Sequence, residues 1–286
     1  MQQQNNHPGR FIAAPTRSNE EMLRGFEWFA FMRANHPVSY NQQMNDWHIF
    51  RYEDVYRVIT DHQTFSSQGV PNFSELVFLR ETLVTQDPPD HRRLRTLATQ
   101  AFTPRATTQL TATITQITQD VLDKVLSQGK IEIVSDVAFP VTTNVLASML
   151  DVPNHDWHLL CRWVKGMEDD GSSHTREEVL QANNRMGQEM YDYFSHHLAT
   201  ACREPRGDLI TALRAAESNG KGFSEDELVK FCLLLLVAGQ ETVQNLLTNA
   251  IYCVTTYPES YAHLIQHPED IPTAIEDVLR YLPPFW

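Results

Sequence analysis

Five consecutive residues, Ala238-Gly239-Gln240-Glu241-Thr242, set a carboxyl and a hydroxyl at the end of an apolar run from Phe231 to Ala238. Glycine in a helix costs about 1 kcal/mol against alanine. A mid-helix threonine can turn its hydroxyl back to the carbonyl four residues earlier, here that of Ala238, and bend the helix. Together they open a notch with Glu241 beside it. A carboxyl in a dry interior has a raised pKa and can pass protons. The same five residues also fit a core helix whose glycine serves packing and whose Glu241 is simply exposed.

A second group with chemical potential is the stretch from Asp87 to Arg95, Asp-Pro-Pro-Asp-His-Arg-Arg-Leu-Arg. Asp87 is expected to cap a helix whose first turn tolerates Pro88 and Pro89, because a missing N–H does no harm there. His91 and Arg95 are four apart and share a face. Arg92, Arg93 and Arg95 crowd the positive end of the helix dipole, a conflict that a bound anion or an acidic partner resolves. Pairing with neighbouring acids on a surface helix resolves it equally well.

The elements that must hold these residues read from short-range signals. Ser224 and Glu227 form a capping box that opens a long helix to about Tyr252. Its apolar run is far shorter than the roughly 18 residues of a membrane span. Before it, Met22, Phe26, Phe29 and Met32 mark one stripe of a helix that His36-Pro37 ends. Val38–Tyr40 and Trp47–Arg51 read as a short strand pair, followed by a helix from about Tyr52 to Thr60. The stretch Thr64 to Gln86 reads as a loop. Thr103-Pro104 opens a helix to about Ser127, with Leu110, Ile114, Ile117, Val121, Leu122, Val125 and Leu126 as its expected buried stripe. Further helices are expected around Thr142 to Leu150, across His155 to Thr200 on either side of Asp-Asp-Gly-Ser-Ser, over Gly207 to Ala216, and after Tyr257-Pro258 and Ile271-Pro272.

Read together, three of these stretches resemble the cytochrome P-450 family. Ala238 to Thr242 is similar to the motif on that family's central helix. Asp87 to Arg95, followed by Ala-Phe-Thr-Pro-Arg at 101–105, is similar to the haem-flanking helix of the soluble bacterial members. Ala-Ile-Glu-Asp-Val-Leu-Arg-Tyr-Leu-Pro-Pro at 274–284 resembles the family's ExxR helix. The resemblance covers about Pro15 to the last residue, with residues 1–14 as a flexible tail. It implies a mainly α cytochrome P-450 fold with a small β-sheet, and a haem b cofactor whose propionates His91 and Arg95 hold. Ala238 and Gly239 would leave room for oxygen, Thr242 would steady dioxygen and its water, and Glu241 would relay protons. The Thr64–Gln86 loop would line the substrate pocket and the region 155–200 would form a lid. The implied activity is insertion of one oxygen atom into a small apolar organic substrate. Electrons would come from NAD(P)H through a ferredoxin- or flavodoxin-type partner with its reductase, and Arg92 and Arg93 would face such an acidic partner.

The chain departs from the family pattern in two places. Asp277 stands where the ExxR pattern has glutamate, with Glu276 beside it, so Arg280 is left to pair with Asp277 at i+3 or Glu276 at i+4. The family's glycine-flanked cysteine loop, which carries the thiolate bound to iron, is not found in this chain, so the fold is expected to be truncated on its C-terminal side. A catalytically inactive remnant, or a helical protein that holds an apolar ligand or a partner without iron chemistry, is the other reading.

Composition bounds the rest. With 23 basic and 36 acidic residues the net charge is −13, which argues against a general nucleic-acid binder. A hydrophobic content of 42% fits a globular chain. The first residues lack the pattern of a secretion signal, so the cytoplasm is the expected location, with no membrane partner. Cys161, Cys202, Cys232 and Cys253 are scattered and read as reduced core thiols. His196 and His197 are adjacent, point to different sides of a helix, and read as solvated.

Overall fold

A computed structural model describes residues 19–42, 45–68, 77–168, 175–201 and 209–284. The expected tail, residues 69–76 of the expected substrate loop, and the Asp-Asp-Gly-Ser-Ser segment with Cys202 lie outside these. The chain divides into two compact units, the first ending at Ser67 and the second beginning at Gln68.

In the first unit, helix α1 (Asn19–Asn35) stops just before His36-Pro37, as a proline demands of the residue ahead of it. Met32 is buried and Phe26 and Phe29 are half-buried, so the expected stripe is the inward face. Strands β1 (Val38–Asn41) and β2 (Asp46–Ile49) pair antiparallel with Tyr40 opposite Trp47. Their rings lie 5.0 Å apart between centroids, a cross-strand aromatic pair of the kind that fixes register. Helix α2 (Tyr52–Thr60) follows.

The second unit is helical. In chain order it holds α3 (Asp90–Ala101), α4 (Pro104–Val125), a π-helical turn (Ile133–Ala138) that runs into α5 (Phe139–Met149), α6 (Trp157–Glu168), α7 (Arg176–Ala201), α8 (Leu209–Ala215), α9 (Glu225–Thr256), α10 (Pro258–Gln266) and α11 (Ile271–Tyr281). Helix α9 is the axis. Ser224 caps it with its side-chain oxygen on the Glu227 amide, and the Glu227 carboxylate accepts from the Ser224 amide at 2.9 Å, so the capping box forms in full. Its first half packs between α5 and α7. There Leu228, Leu233 and Leu236 join Leu146, Trp163 and Phe194 in one apolar core.

The first turn of α9 also gathers charge. Glu225 accepts from Arg214 on α8, Asp226 from Tyr191 on α7 at 2.7 Å and from Lys230, and Glu227 from Arg93 on α3. Three acids at a helix N-terminus suit the dipole, and each ties α9 to another part of the chain or to its own next turn. Lys230 reaches further, to Glu81 at 2.7 Å.

Four expectations change. Asp87 is not the cap of α3: the helix begins at Asp90 with Pro89 in the capping position, and it is the Asp87 carbonyl that accepts from the His91 amide. The prolines at 88 and 89 carry no N–H for a carboxylate cap to receive. In α4 only Val121 and Val125 of the expected stripe are buried, while Ile114 and Leu126 are exposed. The helix expected from Thr142 starts earlier, with Pro140 in the first turn of α5. His197 is buried, not solvated; its ring stacks on Tyr193 and its Nε2 lies 3.1 Å from the Leu150 carbonyl. His196 is exposed as expected.

Candidate functional site

The notch residues sit halfway along α9, on a helix that runs unbroken through them. The Thr242 hydroxyl donates to the Ala238 carbonyl at 2.8 Å, the back-bond expected of a mid-helix threonine. Ala238 and Glu241 are exposed and Thr242 half-buried. Glu241 makes no hydrogen bond or ion pair among the described residues, so the dry surroundings expected for its carboxyl are not present in this chain. Gly239 has a packing task. A Cβ there would stand 2.9 Å from Leu146 Cδ2, so the space left by the missing side chain is filled by Leu146 of α5.

Behind the motif the helix is polar where an apolar contact would be expected. Gln240 and Gln244 are both buried, one turn apart, and the Gln240 amide donates to Gln244 Oε1 at 3.1 Å. The Thr143 hydroxyl on α5 donates to Gln240 Oε1 at 3.2 Å. Pattern reading passed over this group, because a glutamine between glycine and glutamate looks like solvent-facing helix.

On α3, Leu94, Leu97, Ala98 and Ala101 form the buried face. At about 100° per residue, His91 and Arg95 lie on one flank of that face and Arg93 on the other. Arg93 crosses to Glu227 with two hydrogen bonds, and Phe102 sits 6.5 Å from Phe231 between ring centroids. The end of α3 and its Arg93 flank are thus held against the first turns of α9, about 10–16 Å along the axis from Ala238. His91 is half-buried and Arg95 exposed, and neither side chain has a polar partner among the described residues. No hydrogen bond joins this pair to the notch. The availability expected of Arg93 for an outside partner is corrected: Glu227 occupies it and holds its pKa above the ordinary value. Arg92 remains open. It lines a cleft of about 560 Å³ with Lys221 and Asn219, between the start of α3 and the turn at 218–221.

In the ExxR-like helix α11, Arg280 donates to Asp277 through Nε at 2.8 Å and Nη2 at 2.7 Å. Of the two acids open to it, the i+3 partner is taken. Both side chains are exposed. The three described cysteines are not disposed as thiolates. Burial raises the Cys161 thiol, pushes that of Cys232 up to about 12, and raises that of Cys253, where Asp277 adds to the shift.

The comparisons with known proteins agree with this architecture. The family profile described as Cytochrome P450 matches residues 35–153 and 136–277. The Putative cytochrome P450 YjiB of Bacillus subtilis is 31% identical over 94% of this chain and 68% of its own length. Substrate-free CYP109E1 from Bacillus megaterium superposes with a TM-score of 0.83 and 32% identity, covering 91% of this chain and 68% of that one. P450BioI, solved in complex with a hexadec-9Z-enoic acid ligated acyl carrier protein, superposes with a TM-score of 0.79 and 30% identity over 92% of this chain and 69% of that one. The chain belongs to the cytochrome P450 family. It spans about two thirds of the length of these relatives.

Cytochromes P450 bind haem b and are monooxygenases as a family. The residues present fit that group on two counts: an exposed, small Ala238 on α9 with an acid and a hydroxyl beside it, and an exposed Arg95 without a polar partner among the described residues, whose guanidinium suits carboxylates.

Proposed function

We propose that this chain, joined by a counterpart of the relatives' remaining third, is a haem-dependent monooxygenase for a small apolar organic substrate. The observation that carries the reading is the exposure of Ala238 and Glu241, with Thr242 half-buried beside them, just after a stretch from Leu228 to Val237 that is buried or half-buried. Haem, when bound, supplies the activation of dioxygen, and a thiolate ligand favours cleavage of its O–O bond.

The side chains of this chain have separate tasks. His91 and Arg95 hold the propionates through charge-assisted hydrogen bonds. Ala238 keeps the face free of bulk. The Thr242 hydroxyl spends its proton on the Ala238 carbonyl, so its oxygen faces outward as an acceptor and orients a water that donates to it. Glu241, exposed and unpaired among the described residues, takes protons from solvent and delivers them along that water. Arg92 and Lys221 offer positive charge to an acidic electron-transfer protein of the ferredoxin or flavodoxin type, in a cytoplasmic setting. Long-range attraction of this kind raises encounter rates and weakens with salt.

The test is the ratio of product formed to NAD(P)H consumed in the haem-loaded protein. Thr242→Ala removes the water's acceptor and should divert a large part of the electrons to peroxide. Coupling equal to that of the unaltered protein would sink the role of Thr242. A protein that takes up no haem would sink the reading as a whole.

A further inference from the structure

Two contacts from α5 reach α9 side by side: Leu146 fills the space at Gly239, and Thr143 donates to Gln240. Thr143 is fully buried at 0% exposure and Gln240 at 2%. Burying a carboxamide in an apolar core is unfavourable unless its polar atoms are satisfied. Here both are used, the oxygen by Thr143 and the nitrogen by Gln244. At about 100° per residue, Ala238 and Thr242 lie about 160–200° round the helix from Gln240. The tie therefore stands directly behind the two residues that face outward.

We infer that Thr143 and Gln240 form a positioning pair, a buried hydrogen-bonded tie that fixes the rotation of α9 and so decides which residues of the Ala238–Thr242 segment face outward. An apolar contact is indifferent to small rotations of a helix, whereas a hydrogen bond between two buried side chains has one geometry and a large penalty for missing it. The leucine against Gly239 sets how close α5 approaches, and the threonine sets the angle. The functional consequence rests on the monooxygenase reading; the mechanical one does not.

Thr143→Val keeps the shape and removes the donor, and Thr143→Ser restores it. The primary readout is amide hydrogen exchange along α9 in the 286-residue chain. In Thr143→Val, exchange at residues 239–243 should rise by about tenfold, the cost of an unmade buried hydrogen bond, while residues 228–236 hold their rates; Thr143→Ser should return the segment to its original rates. Gln240→Leu removes the same tie and also the donor to Gln244, so it should raise exchange at 239–243 at least as much, and adding Thr143→Val to it should bring little further rise. Unchanged exchange, equal acceleration along the whole helix, or independent multiplicative effects of the two substitutions would each overturn the pair. In the haem-loaded protein, Thr143→Val should raise the share of electrons lost to peroxide. If exchange responds as stated and peroxide does not, the pair stands and its link to oxygen chemistry falls.

Discussion

The two halves of α9 differ in composition and in surroundings: 10 of the 13 residues from Leu228 to Gln240 are apolar, against 8 of the 16 from Glu241 to Thr256. From Leu228 to Gln240 the helix is mostly buried, with Leu233 and Leu236 at 0% exposure. From Glu241 to Thr256 only Gln244 is buried, and α10 and α11, which pack against that half, have no buried residue. Val243, Ile251, Tyr261, Ile265, Ile271 and Ile275 are exposed across these three helices. The helix thus meets a finished core at one end and exposed apolar residues at the other. A face of this kind marks a contact surface.

The comparison can be broken most directly by truncating one aliphatic side chain in each half. Leu233→Ala should cost about 2–5 kcal/mol in denaturant unfolding, whereas Ile251→Ala should cost under about 0.5 kcal/mol. Equal costs would mean that the second half is covered after all. The exposed face should also make the chain self-associate, and Ile251→Glu with Ile265→Lys should shift it toward monomer in sedimentation velocity. A chain that is already monomeric at high concentration would contradict the contact surface.

A smaller effect concerns the charged first turn. Burial raises the pKa of Glu227, but Arg93 and the Ser224 amide outweigh it and leave the carboxyl below its ordinary 4.5. Asp226 behaves likewise: burial raises it, and Lys230 and Tyr191 bring it below 3.8. For both groups the folded pKa lies below the unfolded one, so their stabilisation is present above the unfolded values and is lost as pH falls through the folded ones. Urea midpoints should therefore drop below about pH 4.5, and Glu227→Gln should flatten that drop while leaving the second half of α9 unaffected. Glu227→Ala at neutral pH should cost about 1–2 kcal/mol, as expected for a lost capping partner. The smallest effect is predicted in the uncovered half. Asp277→Asn breaks an exposed ion pair, which is worth at most about 1 kcal/mol, and should leave unfolding of this chain nearly unchanged.

What the sequence made legible was short in range. The capping box at Ser224, the back-bond of Thr242, the strand pair and α2 all depend on residues within four positions of each other or on a tight turn. The family and its fold were legible because three local motifs fell in the right order. The pairing of Arg93 with Glu227 was not, since it joins residues 134 apart. Nor were the filling of the Gly239 space by Leu146 and the burial of Gln240 and His197, because each depends on which helix arrives from a distant part of the chain. Local signals mislead at Asp87, where the prolines that follow it delay the helix, and in α4, where apolar periodicity extends well beyond the residues that are buried.

The proposed function requires Ala238 and Thr242 on α9 and the His91–Arg95 flank of α3 to serve one haem. The most direct measurement is the carbon-monoxide difference spectrum of the reduced protein carrying a counterpart of the relatives' remaining third. The spectrum of a thiolate-ligated haem is predicted, with haem lost on dilution when His91 and Arg95 are both changed to alanine. A protein that binds no haem, or one whose haem retention ignores those two substitutions, would contradict it.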